Sequence, residues 1–256
     1  MSGLTFDRFL RGPADFNPTA AWPPLPAILA TVGILIVGQT LPAAILLLLP
    51  GGPMMPAGVA SPPTHVLAES TGLFLLLVSQ CTIALLTLSV AGFYRATPRD
   101  VLLMRPPEGG SRAFVFALML MAPVLALANA LAYAISPSGF MSDFAQFRTL
   151  AQTSEPLPAA LGIIVGAPLW EELLFRGFLL VPLVGVVGFW PAAALVSVAW
   201  TTLHIGYSVA GLTEVFLIGL YFGWLLLRTG SVWVPIVCHA AYNGLLFGAL
   251  RYLPMP

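Results

Sequence analysis

Between residues 157 and 243 a set of polar side chains stands in otherwise apolar sequence. Glu171, Glu172 and Arg176 lie in PLWEELLFRGF, Trp200 and His204 in SVAWTTLHIG, and His239 and Asn243 in VCHAAYNGLL. These types suit amide hydrolysis, which needs a nucleophilic water, a base to take its proton, and donors for the developing oxyanion. Carboxylate, imidazole and side-chain amide are such groups. A cysteine nucleophile fits less well, because Cys238 adjoins His239 and so points to a different side of its helix. Zinc is the competing reading, since Glu171, His204 and His239 would suffice as ligands for a catalytic ion. There is no H-E-x-x-H helix, however, and each ligand comes from a different segment. No cofactor is therefore expected, and a metal-free glutamate mechanism is favoured.

Helical geometry separates the two glutamates. Neighbouring residues are about 100° apart on a 3.6-residue turn. Glu172 and Arg176 form an i,i+4 pair in the favourable Glu-first order. Glu171 has no cation on its own helix, which leaves it as the free carboxylate and the candidate base. Ser197, Trp200, Thr201 and His204 fall on one face of the next segment, and His239, Tyr242 and Asn243 on one face of the last. The competing reading is structural: an ion pair that locks a bundle, and histidines satisfied in a core.

The elements that must position these groups are membrane helices. Charged residues are 8% of the 256, hydrophobic residues 59%, and mean hydropathy is +0.95. Soluble domains carry roughly 25% charged residues. A bilayer core of ~30 Å needs about 20 apolar residues per helix. The apolar runs are 26–49, 67–93, 113–135, 157–181, 191–206, 211–228 and 231–250. The expected fold is all-α, a polytopic bundle of about seven to eight spans. Its expected divisions are a cytoplasmic segment 1–25, helices and a basic loop over 26–112, and a catalytic core over 113–256. The Pro/Gly-rich stretch 50–63 reads as a loop. Phe140, Phe144, Phe147 and Ala151 suit either an interfacial helix or a loop. The first apolar run is too long for a signal-peptide core. Cys81 and Cys238 read as small buried hydrophobes.

The run 157–181 holds three charges, each costing ~2.5–3.5 kcal/mol near a helix centre. Together they would cost about 7–10 kcal/mol, against roughly 4–8 kcal/mol returned by thirteen Leu, Ile, Val and Phe residues. That helix belongs inside the bundle, and charges kept there point to function. All ten basic residues are Arg, in no basic run, so nucleic acid is not an expected partner. Arg8, Arg11, Arg95, Arg99, Arg105, Arg112 and Arg228 would all be cytoplasmic with seven spans and the N-terminus inside. Counted along the spans, Glu171, His204 and His239 then meet on the cytoplasmic side of the midplane.

The ordered motifs Glu171-Glu172-xxx-Arg176, Trp200-xxx-His204 and His239-xxx-Asn243 resemble those of the CPBP family of intramembrane proteases. This is the CAAX protease and bacteriocin-processing, or Abi, family, which includes the Rce1-type prenyl-protein endopeptidases. The motifs span 171–243, and residues 1–112 add little to the resemblance. It implies that Glu171 activates the attacking water, that His204 assists it, and that His239 and Asn243 hold the oxyanion. Glu172 and Arg176 would support the site, with Trp200 where the family usually carries Phe. The best-understood members have one span more than the seven counted here.

A membrane endopeptidase is thus expected, acting on a membrane protein or lipidated peptide. The expected location is the bilayer of a bacterial inner membrane. The alternatives are a non-catalytic immunity or partner-binding protein on the same scaffold, and a transporter or proton relay. The complete Glu/His/His/Asn set argues against the first. The absence of an internal repeat argues against the second.

Overall fold

The computed structural model describes residues 4–12, 16, 18, 22–48, 64–93 and 97–253. The stretch 50–63 lies outside the described residues. The described chain is helical throughout, without a β-strand. A short α1 (Phe6–Arg11) is followed by α2 (Pro24–Leu48) and α3 (Thr64–Gly92), which pack on each other. A single turn, α4 (Pro98–Val101), precedes α5 (Ser111–Ile135) and α6 (Pro137–Ala151). Helix α7 runs over 156–187, then come α8 (Phe189–Thr201), α9 (Val209–Thr229) and α10 (Trp233–Tyr252).

Among the described residues, five stretches are long and apolar enough to cross a bilayer: Pro24–Ile45, Glu69–Gly92, Ser111–Ile135, Val209–Thr229 and Trp233–Tyr252. Large apolar side chains such as Leu29, Leu85, Met119 and Leu127 stand exposed along them. Apolar surface on that scale needs lipid against it. The protein is an integral membrane protein built as an all-α bundle.

The other two expected spans take a different form. Helix α7 is α-helical over Pro156–Ala160, Ala167–Glu171 and Leu180–Val187, but wound as a π-helix over Leu161–Gly166 and Glu172–Leu179. Every residue of the second π segment is buried, which suits a helix whose charges could not face lipid. Gly188, at φ 80°, ends α7 in a conformation that side-chain-bearing residues avoid. The following α8 has 13 residues. At 1.5 Å each it is about 20 Å long, short of a bilayer core. It stops in a 3₁₀ turn, Thr202–His204. The stretch 191–206 is therefore a half-length helix, and not a full span.

Helix α7 is the centre of the packing. Its π segments touch α3 and α10, and α8 and α9 pack on its second half. Helix α6 is a true helix, so the loop alternative for 140–151 falls away. Ser136 caps it by accepting from the Gly139 N–H, and Asp143 ties it to the start of α9 through the Ser208 N–H and hydroxyl.

The basic residues sort by end. Arg228 donates to the carbonyls of Arg8, Phe9 and Gly12, and Arg105 donates to Gly230 O. Arg8 also pairs with Glu108. At the opposite end Arg251 donates to the carbonyls of Ala151 and Thr153, where the α6–α7 connection meets α10. Cys238 is buried as expected, whereas Cys81 is exposed on α3. An apolar surrounding for Cys81 is supplied by lipid instead of by the protein core.

Candidate active site

The groups singled out in the sequence come from α7, the end of α8, and α10. They meet around Trp200 at one wall of a cavity of about 680 Å³. Glu171, Trp200, His204, His239 and Asn243 all line it, while Glu172 and Arg176 do not. Much of the remaining lining is apolar, with Phe144 and Phe147 of α6, Leu75 and Leu76 of α3, and Leu246 of α10.

Glu172 is fully buried and forms the expected ion pair, Oε1 accepting from Arg176 Nη1 at 3.0 Å. The same oxygen also accepts from His239 Nδ1 at 3.0 Å. Arg176 is 1% exposed and donates from Nη2 to Gly219 O at 3.2 Å. A carboxylate only accepts, so the His239 Nδ1 carries the proton. Its Nε2 is then a lone pair in the neutral ring and an N–H only in the cation. The sequence placed His239 as an oxyanion donor; with its proton on Nδ1 it can be one at Nε2 only when both ring nitrogens carry a proton.

Glu171 is turned the other way, onto the cavity. It is not free, as the helical geometry suggested. Its Oε2 accepts from the Trp200 indole Nε1 at 2.5 Å, a partner on another helix. Among the described residues nothing bonds its Oε1. His204 is anchored locally, with Nδ1 3.3 Å from Trp200 O. A carbonyl can only accept, so Nδ1 is protonated and Nε2 of the neutral ring keeps its lone pair.

Asn243 donates from Nδ2 to Ile163 O at 2.9 Å. The π winding explains why that carbonyl is available. The Ala167 N–H, its α-helical partner, is taken by Gly162 O. Residue 168, the π-helical partner, is proline and has no N–H. The amide of Asn243 fills the gap and so ties α10 to α7. Its second N–H has no partner among the described residues.

The trio Glu171, His204 and His239 does not form a metal site in this geometry. Among the described residues no three His, Cys, Asp or Glu side chains converge as metal ligands would. The Trp200 ring packs against both imidazoles, 5.2 Å from that of His204 and 5.5 Å from that of His239. These residues as placed do not fit a zinc ion.

Two carboxylates of the lining were not singled out as site residues from the sequence. Glu214 of α9 is 8% exposed and accepts from the Tyr242 hydroxyl at 2.8 Å. Asp143 lines the cavity beside it while capping α9. Glu214 was findable, since a carboxylate in the apolar run 211–228 is the signal that marked Glu171.

Fold and site together define a polytopic membrane protein with a half-apolar internal cavity, one wall of which carries carboxylate, imidazole and amide groups. Residues 153–245 match the family described as type II CAAX prenyl endopeptidase, Rce1-like. The matched stretch contains all seven residues quoted from the motifs. At the level of the family it supports a CAAX-type intramembrane protease. No curated protein and no solved structure gives a match.

Proposed function

We propose that the protein is an intramembrane endopeptidase in which Glu171 activates water. The observation that carries this reading is the cavity itself. Glu171, His204, His239 and Asn243 reach it from three separate parts of the chain, while the adjacent Glu172 is turned into the core. Glu171 Oε1 is the oxygen left to take a proton from water bound in the cavity. His204 Nε2, a lone pair in the neutral ring, is a second acceptor for that water, and the proton taken up by Glu171 is then returned to the leaving amine as the C–N bond breaks. The oxyanion then forms beside His239 and the spare N–H of Asn243, which can donate to it. Glu172 fixes the His239 ring with its proton on Nδ1, and Arg176 balances the buried charge.

The apolar wall favours a membrane-embedded or lipid-bearing peptide segment as substrate, and the volume falls in the range of small-molecule and peptide-end pockets. The mechanism is written without a metal. The location that suits the charge pattern is a bacterial inner membrane, with the Arg-rich end of the bundle, and so the N-terminus, in the cytoplasm.

The test is a survey of new termini in a membrane proteome exposed to the reconstituted protein. It compares wild type, chelator-treated wild type and Glu171→Gln. Cleavage products are expected from the first two and none from the third. Products from Glu171→Gln would remove Glu171 as the base. Activity lost on chelation and restored by zinc would overturn the metal-free mechanism. Solute flux through oriented proteoliposomes without any cleavage would replace the endopeptidase by a transporter.

A further inference from the structure

Trp200 occupies the last turn of α8 and is 3% exposed. Four groups converge on its indole. Nε1 donates to Glu171 Oε2 at 2.5 Å, and the Arg176 guanidinium lies 4.6 Å from the ring centroid. His204 and His239 meet the ring edge-on, at interplanar angles of 73° and 82°. Helix α9 meets the ring with Phe222, at 6.1 Å between ring centroids, and with Gly219, where a Cβ would stand 3.0 Å from Ser197 Cβ and 3.1 Å from Trp200 Cε3, close enough that these neighbours would have to give way slightly.

We infer that Trp200 is a positioning residue of the hydrolytic site: its N–H fixes the Glu171 carboxylate with Oε1 toward the cavity, and its ring holds the two imidazoles apart. The inference rests on the reading of Glu171 as the base. An indole N–H only donates, so it can orient the carboxylate but cannot take the proton. The terminal torsion of a glutamate is broad and nearly two-fold, so an unanchored carboxylate presents either oxygen in many orientations. A donor on Oε2 removes that freedom before water is bound, and a group held in the reacting geometry accelerates the chemical step more than binding. A phenylalanine at 200 would fill much of the same space and keep the imidazoles apart, yet leave the carboxylate unanchored. The wedge and the anchor are therefore separable by one substitution.

The first measurement needs no substrate. In ¹H–¹⁵N spectra of the detergent-solubilised, ¹⁵N-tryptophan-labelled protein, each of the six tryptophans gives one indole N–H signal. The Trp200 signal is identified by its loss in Trp200→Phe. Should that variant not fold, single Phe substitutions at Trp22, Trp170, Trp190, Trp224 and Trp233 identify it by elimination. The Trp200 signal is expected well downfield, and to move upfield in Glu171→Gln while the other five stay in place. An unmoved Trp200 signal would overturn the inference.

The second measurement uses the peptide sequence cut in the proteome survey, resynthesised with a fluorophore and quencher. Trp200→Phe is expected to lower kcat by roughly 10–100-fold, the worth of a hydrogen bond to a charged group, with KM close to wild type. A packing role alone would lower the folded fraction and leave kcat of the folded protein unchanged. That result would also overturn the inference. Cleavage by Glu171→Gln is a separate failure, which removes the base itself.

Discussion

Glu172→Gln tests whether one buried carboxylate holds both the bundle and the site. In the wild type Glu172 Oε1 accepts from Arg176 Nη1 and His239 Nδ1, each at 3.0 Å, and Oε2 has no partner. A glutamine keeps the shape and one accepting oxygen. It removes the negative charge facing an Arg176 that is 1% exposed, and it places an NH₂ where no acceptor waits. Breaking a buried ion pair from one side costs ~3–5 kcal/mol. The retained amide oxygen and the Gly219 carbonyl on Arg176 put this case near the lower limit, about 3 kcal/mol. For a chain of this size that lowers Tm by about 6–12 °C in detergent, read by scanning fluorimetry. His239 loses the charged acceptor that fixes its ring, a charge-assisted bond whose loss corresponds to roughly 10–100-fold in kcat. The double variant Glu172→Met with Arg176→Met separates the two effects. Replacing a whole buried pair by apolar side chains is often neutral or better, so Tm should return to near wild type while turnover stays low. Wild-type Tm in Glu172→Gln would refute the stabilising role of the pair. Full activity in the double variant would refute the support of His239.

Asn243→Ala strips Ile163 O of its donor and removes one candidate oxyanion donor. The orphaned carbonyl should cost about 1–3 kcal/mol in stability, and the lost donor ~10²–10³ in kcat with KM little changed. Single-turnover rates on the folded fraction check the second effect; near-wild-type turnover there would leave Asn243 a purely structural tie between α7 and α10. For topology, single cysteines replace Arg99 or Ser154 in a background lacking Cys81 and Cys238. A membrane-impermeant maleimide should label position 99 only from the cytoplasm and position 154 only from outside. Labelling of both from one face would break the assignment of the two ends.

The local part of the site was legible because it depends on spacing within one helix. Glu172 and Arg176 are four residues apart, and the pair survives even where the helix is π-wound. Of the Arg pattern, the structure bears on the grouping alone: Arg8, Arg105 and Arg228 gather at one end of the bundle. Partners supplied by other helices could not be read from periodicity. The indole on Glu171 and the imidazole on Glu172 are set by how α7, α8 and α10 are rotated against each other. Nor could the length of α8 be read, since 191–206 is apolar enough for a span but is cut by Gly188 and by the 3₁₀ turn before His204.

The π winding of α7 links these observations. A helix that carried Glu171, Glu172 and Arg176 in regular α form would still divide them between two faces. What the π segments add is a set of backbone groups that need outside partners. Ile163 O is taken by Asn243, and Gly162 O accepts from Gln80 Nε2 at 3.1 Å as well as from the Ala167 N–H. Through these bonds α10 and α3 are fastened to α7 about two turns before Glu171. The same departure from regular helix that breaks the span thus fixes the walls of the site. It follows that Pro168, whose missing N–H leaves Ile163 O to Asn243, belongs to the construction of the site although it can take no part in its chemistry.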